Sequence, residues 1–542
     1  MRKFWKGGDP FIWLTGGGLA VSLIMVVGLV ILIMVSGLGF FWPSDVVRFS
    51  LRNGKAHLGE ITDRERIPHP GAPEGTPARY RIQVKQGNRD RDLYKGVDFV
   101  WIDEEQIATR EKLDEVVVFE RLEWGNLYGT VKEVRDAGAT VARGEAAWTS
   151  LRERLPAAEA LREEIVEIEK DEIGEVNYAQ ERIRLKRRNL ELKGVLSGPQ
   201  VDALNEELER QKAKFADLQA RREDLLRRQT ASVVVAVEGA GDKELPLFMI
   251  VRAYRPNAMG IFGKAGFYLS KVWEFVSDDP RESNTEGGIF PAIFGTVMMV
   301  FIMSLFVTPL GVLAALYLRE YARQGTFVSA VRIAVNNLAG VPSIVFGVFG
   351  VGFFIYTVGG SLDALFFPES LPTPTFGTGG IFWASLTLAL LTVPVVIVAT
   401  EEGLAAIPKG LREASLALGA TKFETTWRVV LPSLMPSILT GLILAMARAA
   451  GEVAPLMITG VVKFAPAMPL DGYAPYAHLD RKFMHLGFHI YDVGFQAQNV
   501  EAARPMVFTT AFLLLVIVIA LNMTAVVLRK SLRKKYFAVT GV

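Results

Sequence analysis

Two charged side chains, Arg448 and Glu452, interrupt the otherwise apolar stretch from Pro436 to Val461. At a helical spacing of four they share one face. A charge at the centre of such a stretch costs about 2.5–3.5 kcal/mol on insertion scales, so something must offset it. One reading is a structural ion pair at a helix interface. The other is a binding pair: Arg448 presents a planar fork of N–H donors suited to a tetrahedral oxyanion, while Glu452 holds the guanidinium in place and discourages tight trapping. Gly451 and Pro455 loosen the helix around the pair, which is tolerated at membrane depth where a helix faces protein or a watery cavity. An ionisable residue inside a span is read first as functional, which favours the binding pair.

A second pattern lies just upstream, in the charged loop 401–432. Pro408 can open a short helix and Gly419 can end it in a left-handed cap. Thr421 with Glu424 three residues on reads as a capping box for a second helix, which Pro432 is expected to limit before the next span starts. The result is two short helices joined at a bend, displaying Lys409, Arg412, Glu413, Lys422 and Arg428. Three histidines, His478, His485 and His489, form a further group, the last two at helical spacing. Two imidazoles four apart can bind a metal on a helix face. With no Glu directly after His485 and no Cys in the chain, the expectation is a partly exposed helix on the outer rim and no metal.

The elements that must position these residues follow from hydropathy. Half of the 542 residues are hydrophobic and the formal charge is +2, so there is no nucleic-acid signature, and the absence of Cys excludes disulfides and thiol chemistry. Six stretches are long and apolar enough to cross a bilayer: about Gly17 to Phe41, Phe290 to Leu316, Leu338 to Val358, Ile381 to Ala399, Pro436 to Val461, and Val507 to Val527. Basic residues flank them on one side: Arg2, Lys3 and Lys6 before the first, Arg319, Arg323 and Arg332 between the second and third, and Arg529 to Lys535 after the last. The positive-inside rule makes these flanks, both termini and the Glu413 loop cytoplasmic. The first span is too long for a cleaved signal and should remain as an anchor.

Residues 42–288 turn polar and fall outside the cytoplasmic membrane in this topology. Tyr80 to Val84, Val116 to Glu120 and Ser232 to Val237 read as strands. Within about 145–229, Val201, Leu204, Leu208, Gln211, Phe215, Leu218, Arg222 and Leu225 follow alternating steps of three and four, a coiled-coil seam. Leu161, Ile165 and Ile168 begin a second seam that becomes irregular, and Gly194 to Pro199 supplies a turn, which predicts an antiparallel helical hairpin with arms of about 35 residues. It is either an arm for a periplasmic partner or a solvated spacer. The fold class is therefore a mainly α, polytopic membrane protein: residues 1–41 as N-terminus and first span, 42–288 as an inserted extracytoplasmic α+β domain, 289–528 as a five-span core, and 529–542 as a basic cytoplasmic tail.

The run Glu413-Ala414-Ser415-Leu416-Ala417-Leu418-Gly419, followed after nine residues by Val429-Val430-Leu431-Pro432, resembles the loop through which ABC importer permeases grip their ATPase, with only Ser415 departing from the pattern. The resemblance assigns Glu413, Ala414, Gly419, Thr421, Glu424 and Pro432 to ATPase coupling. Arg448 to Leu456, Gly287 to Thr296 and Gly340 to Gly347 are similar to the PstA family of phosphate-importer permeases, where Val453 stands in place of the usual Thr. That family implies an ABC permease fold in a bacterial inner membrane and phosphate translocation past Arg448 and Glu452. It further implies a homologous second permease (PstC-like), an ATPase dimer (PstB-like) using ATP and Mg, and an extracytoplasmic phosphate-binding protein (PstS-like). Leu196 to Gln200 resembles an ABC ATPase signature, but no Gly-x-x-x-x-Gly-Lys-Ser/Thr loop exists, so this chain is expected to bind no cofactor and catalyse no reaction. Sulfate or molybdate as cargo, and a membrane receptor with an outer sensing domain, are the alternatives.

Overall fold

The computed structural model describes residues 9–68, 78–90, 93, 96–497 and 500–540. Arg2, Lys3 and Lys6, on which part of the expected orientation rests, lie outside the described residues. The chain divides into two compact units, Phe41–Gly288 and the combination of Met1–Phe40 with Ile289–Val542. Helix α1 (Asp9–Leu38) is uniformly apolar and exposed along most of its length. It docks through Gly37, which lies against the backbone of Phe508 and Thr509, and Thr509 Oγ1 donates to Gly37 O at 2.9 Å.

The inserted unit is built mainly from two antiparallel sheets, with a short third pairing of Pro280–Arg281 and Glu286–Gly287. The first contains β1 (Val46–Leu51), β2 (Ala56–Arg66), β3 (Tyr80–Lys85), β4 (Phe99–Asp103) and β5 (Ile107–Lys112) in the order β4-β3-β2-β1-β5. The second contains β6 (Val116–Arg121), β7 (Leu127–Asp136), β8 (Ala139–Arg143), β9 (Ala231–Val237), β10 (Gly241–Pro246) and β11 (Ile250–Tyr254), in the order β10-β9-β7-β6-β11 with β8 paired to β7. Strand β6 is buried throughout and apolar from Val116 to Phe119, because both of its faces are covered. Val117 and Phe119 join one core, while Val116 and Val118 join another with Val46, Leu58 and Tyr128.

Between β8 and β9 the chain makes the hairpin: α2 (Glu145–Glu167), a π turn (Ile168–Glu172), α3 (Ile173–Leu192) and α4 (Pro199–Arg228). Its arms are unequal, contrary to the expected equal pair. The first turns of α2 belong to the sheet core through Ala147 and Leu151, and only the rest extends as an arm. The irregular first seam has a physical cause. A π turn inserts one residue, so the apolar contacts skip from Ile168 to Ile173 and Val176, which meet Leu218 and Leu225 of α4. The two polar positions of the second seam are paired: Arg222 with Glu169 across the hairpin, and Gln211 with Glu207 on its own helix. Helix α5 (Ile261–Ser277) closes the unit. It was not foreseen from the sequence.

In the other unit, among the described residues, six helices are long and apolar enough to cross a membrane. Helix α6 (Phe290–Leu316) continues through a π turn, and α7 (Thr326–Leu338) precedes a third span built from α8 (Ser343–Phe349), a π segment and α9 (Gly360–Phe366). Helix α10 (Ile381–Ala406) is the hub, with Ile381, Ala384, Leu388, Ala389 and Val396 fully buried. Small residues let its neighbours approach: a Cβ on Gly311 of α6 would stand 2.6 Å from Val396 Cγ1. Then follow α11 (Lys409–Ala417), α12 (Lys422–Thr425), α13 (Leu431–Gly451), α14 (Ala454–Thr459), α15 (Leu486–Tyr491) and α16 (Val500–Thr540).

Three expected boundaries are corrected. The third span runs from Ser343 to Phe366, because Pro342 disfavours a helical residue before it and Thr326–Leu338 forms a helix of its own. Pro432 does not limit a helix: α12, a π turn (Thr426–Val430) and α13 are continuous from Lys422 to Gly451. A proline lacks the N–H and crowds the carbonyl four residues back, and the wider π turn beneath Pro432 relieves that crowding. The fifth span stops at Gly451, ten residues before the expected Val461.

Because Leu151 is wholly buried between α2 and the second sheet, Leu151→Ala should cost the inserted unit about 2–5 kcal/mol. Replacement of 165–220 by a short Gly/Ser join should leave it folded, since Glu164 and Arg221 already touch at 2.7 Å. Denaturant midpoints of the purified variants check both outcomes.

Candidate functional site

Arg448 occupies the last turn of α13, where the helix dipole favours a cation. Glu452 does not share its helix, as the spacing had suggested. The backbone turns extended at Glu452 (φ −79°, ψ 135°), so the carboxylate stands just beyond the helix end. Arg448 Nε lies 3.6 Å from Glu452 Oε1, too long for a hydrogen bond, and among the described residues that is the recorded partner of the guanidinium. A third of the Arg448 side chain is exposed. The arrangement is a cation with unspent donors at a break in a span.

The break is built by the neighbouring residues. After Val453, helix α14 packs on α8, where a Cβ on Gly347 would come within 2.7 Å of Pro455 Cα. The chain then turns at Gly460 (φ 157°), whose Cα side is pressed against Gly380. Val461 bridges Phe483, with Val462 N donating to Phe483 O at 3.0 Å. Val453 packs over Gly487. Its side chain is thus part of the scaffold.

The histidines do not converge. His478 bonds Asp471 at 2.9 Å, and Asp471 also accepts from Arg481. Burial tends to raise the Asp471 carboxyl, but the Tyr473 N–H, Arg481 and His478 outweigh it and hold it below the usual range. His485 is not on a helix face: it is the N-cap of α15, its Nδ1 accepting from Gly487 N at 3.1 Å. Burial pushes this imidazole down to about 3, so it is neutral. His489 lies 3.4 Å from Thr510 Oγ1. All three are buried, which corrects the expected partly exposed rim helix. Among the described residues no group of three His, Cys, Asp or Glu could hold a metal.

The 401–432 loop folds by its own local rules. Pro408 is the N-cap of α11, one position before the expected N1. Gly419 is left-handed (φ 86°), Gly419 N donates to Leu416 O and Ala420 N to Ser415 O, which together make a Schellman cap. Thr421 and Glu424 form both halves of the capping box, at 2.9 and 3.2 Å. Ser415 hydrogen-bonds Thr425 at 2.9 Å, tying α11 to α12. Glu413 and Ala414 are exposed, as are the apolar Leu416, Leu418, Phe423 and Trp427.

Sequence reading missed what holds this loop to the spans. Arg412 pairs with Glu320 at 2.9 Å and donates to Leu404 O at 3.0 Å and Ile407 O at 3.3 Å, so it caps the end of α10 and fastens α11 beside the end of α6. Arg332 pairs with Glu401 at 3.1 Å. Glu320 and Glu401 were the available signal, being acids at the ends of apolar runs.

Residues 307–535 match the family described as binding-protein-dependent transport system inner membrane component. Phosphate transport system permease protein PstA 1 of Mycobacterium tuberculosis (strain CDC 1551 / Oshkosh) is 34% identical over 247 residues, 45% of this chain and 71% of the relative. The chain belongs to the PstA family of permeases. A probable ABC transporter permease protein, YqgI, of Bacillus subtilis (strain 168) is 30% identical over 42% of this chain and 74% of its own length. A probable PstA of Methanocaldococcus jannaschii is 33% identical, over 42% of this chain and 71% of its own length. The PstA-family match therefore leaves more than half of the chain uncovered in each case.

Within this PstA-family core, Arg412→Ala would leave Glu320 without its cation and release the carbonyls of Leu404 and Ile407. Amide hydrogen exchange across Lys409–Thr425 should then accelerate at least several-fold, with the six spans unchanged. Arg412→Lys should restore little, since one ammonium does not reproduce the guanidinium fork.

Proposed function

We propose that the chain is the permease subunit of an ATP-driven importer, and that it carries inorganic phosphate inward past Arg448. The observation that carries this reading is the guanidinium at the end of α13, a third exposed and without a hydrogen bond among the described residues. A phosphate oxygen pair fits its donor fork, and the surrounding low dielectric strengthens the contact. Glu452 keeps the empty site neutral and competes for the cation as the anion departs. Phosphate as cargo also follows from the names of the relatives reported above.

The remaining parts follow in the same reading. Both termini and the Glu413 loop face the cytoplasm and Phe41–Gly288 faces outward. The exposed Leu416, Leu418, Phe423 and Trp427 around the Gly419 bend offer the kind of apolar surface that a cytoplasmic ATPase would cover. ATP and Mg are used by that ATPase, PstB-like and dimeric, and this chain binds no cofactor. A PstC-like second permease completes the pathway and a PstS-like protein delivers phosphate.

Arg448→Gln should abolish phosphate uptake into proteoliposomes holding the assembled complex, because an amide has neither the charge nor the fork. Arg448→Lys should be nearly as damaging. Labelled sulfate, run in parallel with the parent, should not be taken up. Normal phosphate uptake by the Gln variant would reduce Arg448 to a structural role.

Gly419→Pro should release the ATPase. Proline cannot take the left-handed cap and has no N–H for Leu416 O. The variant should insert at normal levels, yet the ATPase should copurify with the parent alone. Retained ATPase and uptake would place docking elsewhere.

A further inference from the structure

Helix α5 (Ile261–Ser277) is amphipathic in the opposite sense to a helix on a water-facing domain. Its charged residues point inward. Lys264 reaches Asp45, Lys271 reaches Glu120 at 2.6 Å, and Glu274 accepts from Lys271, Arg281 and Arg252. Its outward stripe has no charge: Ile261, Phe262, Leu269 and Trp273 are 69%, 90%, 67% and 71% exposed. Gly263, Gly266 and Ser270 fill the spaces between them.

A separate observation says what covers this stripe. Phe41, the last residue of the first candidate span, packs its ring 6.3 Å from Tyr268 and 5.1 Å from Phe275 of α5, and the half-exposed Trp42 stands 6.1 Å from Tyr268. A residue at the end of a span lies at headgroup level, where Trp and Tyr concentrate. A helix packed on that residue lies at the same level. Thirteen residues after Ser277 the chain begins its next span at Phe290, so α5 is tied at that end as well.

We propose that α5 is an interfacial helix, its stripe of Phe262, Leu269 and Trp273 seated in the boundary between lipid headgroups and acyl chains, anchoring the inserted unit where the chain leaves and re-enters the membrane. The occupant is lipid: the stripe carries no charge, its hydrogen-bonding groups are the Trp273 indole N–H and the Ser270 hydroxyl, apolar bodies with polar tips of the kind that suits the headgroup boundary, and the chain enters the unit at Phe41, where the first candidate span ends. Interfacial helices commonly add attraction between surface lysines and anionic lipid. Here Lys264 and Lys271 are committed to Asp45 and Glu120, so the seat is indifferent to lipid charge.

The chain has no native Cys, so single cysteines report cleanly. Phe262→Cys and Leu269→Cys, with Glu206→Cys on the exposed hairpin as control, are labelled with an environment-sensitive fluorophore in the assembled transporter and reconstituted in phosphatidylcholine vesicles. Lipids brominated along the acyl chain should more than halve the emission at 262 and 269, leave 206 unchanged, and act equally when anionic lipid is added. Native Trp273 gives a label-free reading: bromine quenching of the protein's tryptophan emission should fall in Trp273→Phe. Emission at 262 and 269 as indifferent to bromine as that at 206 overturns the proposal, whether a second subunit or water then covers the stripe. Quenching that requires anionic lipid overturns the assigned role of the paired lysines.

Discussion

A helix end withdrawn from water leaves N–H and C=O groups with nothing to receive them, and each orphan costs several kcal/mol, a figure of order 2–7. The break after Gly451 is possible only because the next segment supplies partners. Glu452 N returns to Ala449 O, Leu456 and Met457 both donate to Val453 O, and Phe483 exchanges backbone bonds with the 460–462 turn, accepting from Val462 N and donating to Gly460 O. That exchange needs two backbones at near contact, which is why Gly460 meets Gly380 and Gly347 meets Pro455 with no room for a Cβ. The glycines of three distant runs thus answer one requirement. They permit irregular backbone at the point where Arg448 and Glu452 stand.

The same span connects that break to the loop. From Lys422 to Gly451 it is one helix of 30 residues, about 45 Å at 1.5 Å per residue. The Thr421 capping box fixes its start and Arg448 its last turn. In the proposed reading, a displacement of α11 and α12 would reach Arg448 along the regular part of this helix, Leu431–Gly451. The compliant portion lies close to the loop, where the π turn and Pro432 interrupt the regular hydrogen-bond ladder. Ser415 strengthens the near end through Thr425. A hydroxyl at this position adds a cross-link between the two short helices that an alanine cannot make.

What could be read from sequence was what is decided locally. The Gly419 cap and the Thr421–Glu424 box involve residues within five positions of one another, so composition and spacing suffice. The start and end of α6 were likewise set by its own apolar run. The fifth span was misjudged because its end depends on pairing between Val462 and Phe483, some twenty residues apart, which hydropathy does not register. His485 and His489 suggested a helix face because they are four apart, yet the helix begins at Leu486 and His485 caps it. Helix α5 was not singled out because Lys264, Lys271 and Glu274 break its apolar run. Their partners Asp45 and Glu120 lie far away in the chain.

Charge pairing separates the bracing arginines from the one that is available. Arg412 has Glu320 and two carbonyls, and Arg332 has Glu401 and Leu318 O, each with an acceptor between 2.9 and 3.3 Å. Their positions are consequently determined by the protein alone. Arg448 has a carboxylate at 3.6 Å and no closer acceptor among the described residues. A guanidinium withdrawn from bulk water needs its donors filled, and the protein fills the bracing ones and leaves these open. The unfilled donors require water or an incoming anion, and an anion displaces that water only by matching the planar fork. In the proposed reading, selectivity at this point would be a matter of acceptor geometry and charge on the cargo, set by one side chain whose neighbours hold it in place by backbone packing and not by hydrogen bonds to it.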